Sequence, residues 1–368
     1  MYRNNGLSLE VVNKETKVTD METKHWVVDN SGIIHQQYPQ IKEAAALIQQ
    51  GEVVAFPTET VYGLGAQVKR DSAVEKIFQA KGRPSDNPLI VHIADRTHVD
   101  ELARLIPPYA QLLINAFWPG PLTIVVPKKE GAVSERVTAG LDTVAVRMPD
   151  HPAALALIKE AGVPVAAPSA NRSGKPSPTT AEHVLDDLNG RIAGIVDAGE
   201  TGVGLESTVV DCTGDYPVIL RPGGITQADI EAVAGHADTN TALKKAEEAP
   251  KAPGMKYTHY APEAPLYIME GTSAAIQKKI DEWRAEGKKV GVLAAEESAA
   301  SYKADTVIEC GRRSDLASVA RELYSALRLF NEQPVDMIIS EAFPAEGVGA
   351  AIMNRLEKAA GHKWIKMR

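Results

Sequence analysis

The feature of this sequence that most limits its fold is a series of short apolar runs, each ending at or near a proline or glycine. Residues 53–56 and 144–148 are examples. Runs of this length are typical of buried strands. Helical periodicities lie between them, such as the spacing of Ile41, Ala44 and Ile48. The pattern predicts an α/β fold with a mixed sheet, whose binding loops lie at the strand ends.

Individual elements are predicted from the same two periodicities. Asp71 is placed to cap a helix whose apolar face includes Val74 and Ile77. Helices are also predicted after Pro152 and after residues 178–180. Strands are predicted at residues 53–56, 89–91, 122–126, 144–148, 163–167, 192–196, 208–210, 218–220, 266–269, 289–294, 306–308 and 335–340.

The length of the chain and its changes of pattern predict two domains. A chain of 368 residues exceeds the usual size of one hydrophobic core. We expect a flexible tail or start-codon extension (residues 1–25), a first domain (26–235), a linker rich in Ala, Lys, Glu and Pro (236–264) and a second domain (265–368). Strands and helices alternate in the second domain, which predicts a smaller, Rossmann-like, doubly wound parallel sheet.

Composition excludes several classes of protein. Apolar residues make up 44% and charged residues 24%, as in globular proteins. The net charge of −8 does not favour nucleic acid or anionic lipid, so a phosphate site needs a local basic patch. Cys212 and Cys310 offer neither a disulfide framework nor a Cys-based zinc site, and no apolar run approaches the roughly 18 residues of a membrane span. We expect a cytoplasmic protein that does not bind membranes.

Several polar residues follow apolar runs directly and are candidates for ligand binding. Thr60 lies between an apolar run and two glycines, which allow a ligand close to the backbone; a capped turn explains the same residues equally well. Lys81 and Arg83 lie in a proline-bounded loop that suits a triphosphate, with a solvated basic turn as the alternative. His92, at the end of an apolar run, is by default a buried core histidine.

Arg147 alternates with Val144 and Val146 in an apolar run, so its guanidinium needs an anionic partner. Asp150 or the carboxylate of a substrate could supply it. Small polar side chains follow two further runs, within residues 166–178 and 206–211, and can hydrogen-bond nucleotide oxygens. On physical grounds alone these loops predict a ligand cleft but no particular reaction.

Five segments closely resemble the YrdC/YwlC family of threonylcarbamoyl-AMP synthases. They are residues 56–65 (FPTETVYGLG), 76–89 (KIFQAKGRPSDNPL), 118–123 (WPGPLT), 167–174 (APSANRSG) and 205–211 (LESTVVD). The likeness runs from about residue 26 to residue 235. The string at residues 252–262 (APGMKYTHYAP) and the α/β tail resemble the two-domain, YwlC-type branch of that family.

The resemblance implies a YrdC-like catalytic domain with a twisted mixed sheet, and a role for each matching residue. Positions that hold L-threonine match Thr60, His92, Arg147 and Ser207. Positions that hold ATP match Arg83, Asn87, Thr143, Ala167, Ser169, Asn171, Ser177, Arg221 and, in the linker, Tyr260. Lys81 matches a basic residue near the phosphates, and catalysis is expected to depend on Lys81, Arg83 and Arg147. No metal site built from protein side chains is implied.

The reaction that the resemblance implies is a nucleotidyl transfer. The amine of L-threonine captures bicarbonate or carbon dioxide as a carbamate, which attacks the α-phosphorus of ATP and expels pyrophosphate. We expect Mg²⁺ to enter with the triphosphate and residues 250–262 to cover the site as a lid, because water would hydrolyse the product. Downstream proteins would then transfer the threonylcarbamoyl group to adenosine 37 of tRNA.

Two other interpretations stay open on the sequence. A basic cleft of this family could bind double-stranded RNA or tRNA without turnover, although the acidic net charge and the lack of interleaved aromatic residues count against more than a weak contact. The chain could also be a different ATP-dependent ligase or a carbamoyl transferase, since the same residue types suit carbamoyl-adenylate chemistry generally.

Overall fold

The computed structural model describes residues 22–29, 38–239 and 259–366. Within these ranges the chain forms one mixed sheet of eleven strands and one parallel sheet of five. The predicted α/β class, with a second domain built on a parallel sheet, is confirmed. Among the described residues, no helix combines the length and the apolar character needed to cross a bilayer.

The larger sheet has the strand order β1-β8-β2-β3-β7-β4-β6-β5-β9-β10-β11. Neighbours in this order are mostly distant in sequence, so loops from many parts of the chain meet at the same sheet edges. The strands are β1 (Lys24–Val27), β2 (Val54–Phe56), β3 (Gly63–Gln67), β4 (Ile90–His92), β5 (Leu122–Pro127), β6 (Thr143–Arg147), β7 (Val165–Ala166), β8 (Gly194–Asp197), β9 (Thr208–Asp211), β10 (Val218–Arg221) and β11 (Asp238–Thr239).

Helices cover this sheet with their apolar faces. In the first of them Ile41, Ala44, Ala45 and Ile48 are buried as their spacing predicts, and Gly51 ends the helix in the left-handed conformation, with φ of 88°. The helices are α1 (Pro39–Gln50), α2 (Asp71–Lys81), α3 (His98–Leu102), α4 (Pro108–Phe117), α5 (Glu135–Thr138), α6 (Pro152–Ala161), α7 (Ala181–Leu188) and α8 (Gln227–Ala234).

The second domain is a parallel sheet of strand order β14-β13-β15-β12-β16. All of its recorded strand pairs are parallel, as the alternation of strands and helices predicts. Its elements are β12 (Leu266–Met269), α9 (Ser273–Ala285), β13 (Val290–Ala294), α10 (Glu296–Ala299), β14 (Thr306–Glu309), α11 (Leu316–Leu329), a 3₁₀ turn (Phe330–Glu332), β15 (Met337–Glu341), α12 (Val348–Ala359) and β16 (Trp364–Ile365).

The two domains share a hydrophobic cluster. Val61 and Leu205 of the first domain pack with Leu323, Tyr324 and other residues of α11 and α12. Such a cluster excludes water from the seam between the domains and favours a fixed arrangement over independent motion. The cluster also contains Tyr260, from the segment between the domains.

Several local predictions differ from the structure. The N-cap of α2 is Arg70, and Asp71 is the first helical residue, whose carboxylate accepts a hydrogen bond from the Ser134 hydroxyl instead of capping the helix. The loop predicted after β2 contains a further strand, β3, because its glycines permit close packing against β2 and β7. β1 begins at Lys24, inside the segment assigned to a tail, and pairs with β8.

The first domain extends beyond residue 235 in the structure. Ile230 of α8 belongs to its main hydrophobic cluster, and β11 adds an edge strand beside β10. Residues 240–258, which include most of the expected lid at 250–262, lie outside the described residues. The lid therefore stays a prediction.

Candidate active site

Loops at the ends of the central strands of the larger sheet line a cleft. Its walls come from the β2–β3 loop, the end of α2 and the ends of β4, β6, β7, β9 and β10. Of the residues predicted as a site, eleven line it: Thr60, Lys81, Arg83, His92, Arg147, Ala167, Ser169, Asn171, Ser207, Arg221 and Tyr260. The cleft therefore combines cations, hydroxyls and amides from widely separated parts of the chain.

Lys81 is the last residue of α2, and its side chain is 3% exposed. Its ammonium donates to the backbone oxygens of Ser169 and Asn171 and to Oδ1 of Asn171 at 3.2 Å. Burial, together with the charge of Arg83, lowers the pKa of Lys81 well below its ordinary value. Lys81 thus anchors the loop at residues 169–171 to the wall of the cleft.

Two arginines bring positive charge to the same cleft. Burial lowers the pKa of Arg83 to about 10, with Arg221 acting in the same direction and Tyr260 against it. Arg221, at the end of β10, donates from Nε and Nη2 to the carbonyl oxygen of Ser207 at 3.1 and 3.0 Å, and from Nη2 to its hydroxyl at 3.2 Å. Cations held this way suit a ligand with several negative charges.

Arg147 ends β6, and Glu59 supplies the anionic partner that its burial requires. Nη2 of Arg147 lies 2.6 Å from Oε1 of Glu59 without hydrogen-bond geometry, and Nε donates to the carbonyl of Gly120 at 3.3 Å. Glu59, and not the predicted Asp150, is therefore the carboxylate that pairs with Arg147. The pair places a guanidinium and a carboxylate side by side at the wall of the cleft.

His92 lies beside Arg147 because β4 and β6 run parallel with these two residues in register. Burial and the charge of Arg147 lower the pKa of His92 to about 3, so its imidazole is neutral at pH 7. Nδ1 lies 3.2 Å from the carbonyl of Ile90, which accepts a hydrogen bond from the Nδ1–H tautomer. That tautomer leaves Nε2 as an acceptor.

Hydroxyl groups complete the wall. Thr58 and Thr60 are both buried, and their hydroxyl oxygens lie 2.8 Å apart. The hydroxyls of Ser207 and Thr123 lie 2.7 Å apart. These hydrogen bonds orient the hydroxyls, because each hydroxyl has a single O–H to donate and its direction is fixed once a partner accepts it.

Three residues predicted for ATP binding do not line the cleft. Asn87 is buried in the loop before β4, and its Oδ1 has no partner among the described residues. Thr143 begins β6 and so lies at the opposite end of that strand from Arg147. Ser177 lies behind the wall, where its hydroxyl donates to Oε1 of Glu206 at 2.5 Å. Their contacts with ATP stay predictions.

Four residues that the sequence prediction omitted belong to the site: Thr58, Glu59, Glu206 and His259. Thr58, Glu206 and His259 line the cleft, and Glu59 pairs with Arg147. The acidic residues were detectable in principle, since a carboxylate inside a buried motif needs a cation. Their partners, however, lie far away in sequence.

Comparison with known proteins identifies the family. A model of the Sua5, YciO and YrdC proteins, described as telomere recombination, matches residues 46–223. A second model, described as the C-terminal domain of threonylcarbamoyl-AMP synthase, matches residues 225–361. A relative from Bacillus subtilis named threonylcarbamoyl-AMP synthase is 60% identical, over 94% of this chain and 100% of its own length. This chain belongs to the threonylcarbamoyl-AMP synthase family.

Other members of the threonylcarbamoyl-AMP synthase family agree in sequence and structure. The Pyrococcus abyssi threonylcarbamoyl-AMP synthase is 50% identical, over 89% of this chain and 96% of its own. A crystal structure of P. abyssi Sua5 complexed with L-threonine matches with a TM-score of 0.86 and 46% identity, over 94% of this chain and 99% of that one. The two-domain architecture is therefore that of the Sua5 branch of the family.

Proposed function

We propose that this protein makes threonylcarbamoyl-adenylate from L-threonine, bicarbonate and ATP, for the threonylcarbamoyl modification of tRNA. The observation that carries the proposal is one cleft in which Arg147 and His92, side by side on β6 and β4, open onto the same space as Lys81, Arg83 and Arg221. The first set suits an amino acid, and the second suits a triphosphate. Their union in a member of this family supports an amino-acid-dependent nucleotidyl transfer.

The residues around Arg147 support recognition of L-threonine. The guanidinium suits the α-carboxylate, and Glu59, beside it, suits the α-ammonium that every α-amino acid carries next to its carboxylate. The Nε2 atom of neutral His92 can accept a hydrogen bond from the threonine hydroxyl. A crystal structure of P. abyssi Sua5 contains L-threonine, and we infer the same substrate for this chain.

The reaction proceeds in two bond-forming steps under this proposal. The ammonium of threonine loses a proton, and the resulting amine adds to the carbon of CO₂, which bicarbonate supplies by losing hydroxide. As the N–C bond forms, one C=O π bond opens to a carboxylate oxygen and a second N–H proton is released, which gives a carbamate. A carbamate oxygen then attacks the α-phosphorus of ATP; the new P–O bond forms as the bond to the β-phosphate oxygen breaks, and pyrophosphate leaves. Lys81, Arg83 and Arg221 would hold and neutralise the phosphates, so alignment and charge stabilisation supply most of the rate acceleration.

Mg²⁺ belongs to this proposal as the counterion of ATP. Among the described residues that line the cleft, Glu206 carries the carboxylate, and its oxygens are already engaged by Ser177, Tyr324 and Arg355. We therefore expect phosphate oxygens and water to hold the ion, which suits the hydration preference of Mg²⁺. We also propose a cytoplasmic location and transfer of the product to the proteins that modify tRNA.

The experiment that tests the proposal is pyrophosphate release from ATP and Mg²⁺ by the purified protein, with L-threonine and bicarbonate added together, singly or not at all. Release should require both. L-Valine, which has the shape of threonine but lacks its hydroxyl, should support turnover at least about 100-fold less well, because the acceptor on His92 would lose its donor.

The same assay separates the alternatives. Turnover with carbamoyl phosphate in place of bicarbonate would indicate a carbamoyl transferase. Steeply salt-dependent binding of tRNA without any pyrophosphate release would contradict the synthase proposal and favour an RNA-binding protein.

A further inference from the structure

Glu206 joins the wall of the cleft to the second domain. It precedes β9, lines the cleft and is 7% exposed. Its Oε2 accepts from Nε of Arg355 at 2.9 Å and from the Tyr324 hydroxyl at 2.8 Å, while its Oε1 accepts from the Ser177 hydroxyl at 2.5 Å. One carboxylate therefore binds groups from both domains.

The partners from the second domain are fully buried. Tyr324 of α11 and Arg355 of α12 are both 0% exposed. Nη1 of Arg355 also donates to the carbonyl of Pro222 at 2.8 Å, immediately after Arg221. The ring centroids of Tyr324 and Tyr260 lie 5.1 Å apart. Arg355 thus contacts both Glu206 and the residue that follows Arg221 at the end of β10.

Two arginines, Arg355 and Arg221, both interact with the carboxylate of Glu206. Burial by itself would raise the pKa of Glu206, but Arg355, Arg221 and the bond from Ser177 outweigh it and lower the pKa to about 2. Glu206 is therefore ionised at neutral pH. A buried carboxylate without its cation is costly, so it would recruit any cation within reach. Arg221, which holds Ser207 at the cleft and whose charge also lowers the pKa of Glu206, is a candidate.

We propose that Arg355 and Tyr324 are positioning residues through which the second domain completes the ATP site. They hold Glu206 so that Arg221 stays on Ser207 and its positive charge serves the triphosphate. This inference rests on the proposed role of Arg221 in ATP binding. It gives the second domain a defined part in the reaction without direct contact with the reacting atoms.

The decisive variant is Arg355→Gln. It should raise KM for ATP about tenfold or more and leave KM for L-threonine within about twofold, because Arg221 turns from the cleft toward the unpaired carboxylate. Adding Glu206→Gln to Arg355→Gln removes the competing charge and should restore KM for ATP to within about threefold of the unaltered protein. Tyr324→Phe, which removes a single hydroxyl, should cause a smaller increase and serves if Arg355→Gln does not fold.

Arg328→Gln is the matched control. Like Arg355, Arg328 is a buried arginine of the second domain whose side chain binds the first domain. It lies in α11 and pairs with Asp187, with its Nη2 2.8 Å from Oδ2. The Arg328→Gln protein should be less stable than the unaltered protein but show little change in KM for ATP. An equal rise of KM in Arg328→Gln, or a double variant no better than Arg355→Gln alone, would overturn the inference and leave a purely structural role.

Failure of the proposed function is a separate outcome. It would show in the unaltered protein as pyrophosphate release independent of threonine and bicarbonate. Equilibrium titration of ATP against the same variants, without turnover, then still tests whether Arg355 controls the ATP site. Unchanged ATP affinity in Arg355→Gln and in Tyr324→Phe would contradict the inference whatever reaction the protein catalyses.

Discussion

Arg147 and His92 illustrate how single residues acquire their chemistry from their neighbours. Each ends a strand, and the parallel register of β4 and β6 sets them side by side. The charge of Arg147 helps to keep His92 neutral, and Glu59 neutralises Arg147 at 2.6 Å. These three side chains bring a guanidinium, a neutral imidazole and a carboxylate together at one side of the cleft.

Replacing Arg147 by lysine should raise KM for L-threonine about 10- to 100-fold and leave KM for ATP nearly unchanged. A lysine cannot offer two parallel N–H groups to a carboxylate, and its different reach weakens the contact with Glu59. Steady-state kinetics with each substrate varied in turn measures the effect. Arg136→Lys, at an exposed arginine that pairs with Glu75, is the control and should change neither constant. Equal changes in both constants would contradict the assignment.

His92 should make the protein less stable in acid. Its pKa of about 3 in the folded chain lies below the ordinary 6.5, so between these values the unfolded chain binds more protons and the free energy of unfolding falls as pH decreases. From pH 6.5 to pH 5 the contribution of this residue should fall by about 1.5 kcal/mol.

Urea unfolding at the two pH values measures the effect, and His92→Gln should reduce the loss by that amount. His236→Gln, at an imidazole that is 64% exposed, is the control. An identical pH dependence in His92→Gln and the unaltered protein would show that folding does not lower the pKa of His92.

At the scale of the element, the site depends on how closely the strand ends approach each other. Gly223 follows β10, and a Cβ added there would lie 2.6 Å from both the carbonyl oxygen of Glu206 and the carbonyl carbon of Ser207. Backbone atoms cannot move aside as a side chain can. The absence of a side chain at Gly223 therefore lets the loop after β10 reach the start of β9, where Arg221 holds Ser207.

Gly223→Ala should destabilise the protein by about 1–3 kcal/mol and raise KM for ATP, since the clash separates Arg221 from Ser207. The next residue offers a matched control, because a Cβ added at Gly224 would make ordinary contacts, 3.4 Å from a Val203 methyl group and 3.6 Å from Pro121. Gly224→Ala should therefore cost less than about 1 kcal/mol. Thermal unfolding and ATP kinetics compare the two variants, and equal effects would show that close approach at Gly223 is not required.

At the scale of the whole molecule, the two domains are joined by apolar contacts and by buried ion pairs. Arg328 of the second domain binds Asp187 of the first through Nη1 and Nη2, at 3.4 and 2.8 Å, and also the carbonyl of Pro176. Lys175 adds a second cation 3.1 Å from Asp187. The net charge of −8 therefore coexists with local concentrations of positive charge at the seam and in the cleft.

Arg328→Gln should lower the free energy of unfolding by about 3 kcal/mol, because it leaves the buried carboxylate of Asp187 with the partly exposed Lys175 and the backbone N–H of Arg172 as partners. Arg284→Gln breaks an exposed pair with Asp305 and should cost less than about 1 kcal/mol. Urea unfolding of both variants compares them. A loss as small as that of Arg284→Gln would show that the seam does not depend on this ion pair.

Local pattern determined much of this protein. Apolar periodicity and proline and glycine punctuation predicted most strands within one or two residues, because these signals act over a single turn or run. The resemblance to one family predicted eleven of the residues that line the cleft, since most of them lie in or next to motifs that are continuous in sequence. The same signals missed β3, where two glycines suggested a loop.

The tertiary structure alone decided which distant residues meet. Glu59 reaches Arg147, and Glu206 reaches Arg355, only because an eleven-stranded sheet places strands in an order unlike that of the sequence and because the second domain docks against one edge of the cleft. Thr143 is excluded from the cleft wall for the same reason, since it begins the strand that Arg147 ends. The sequence shows that a charge in an apolar run needs a partner, but strand order, register and packing determine which residue that partner is.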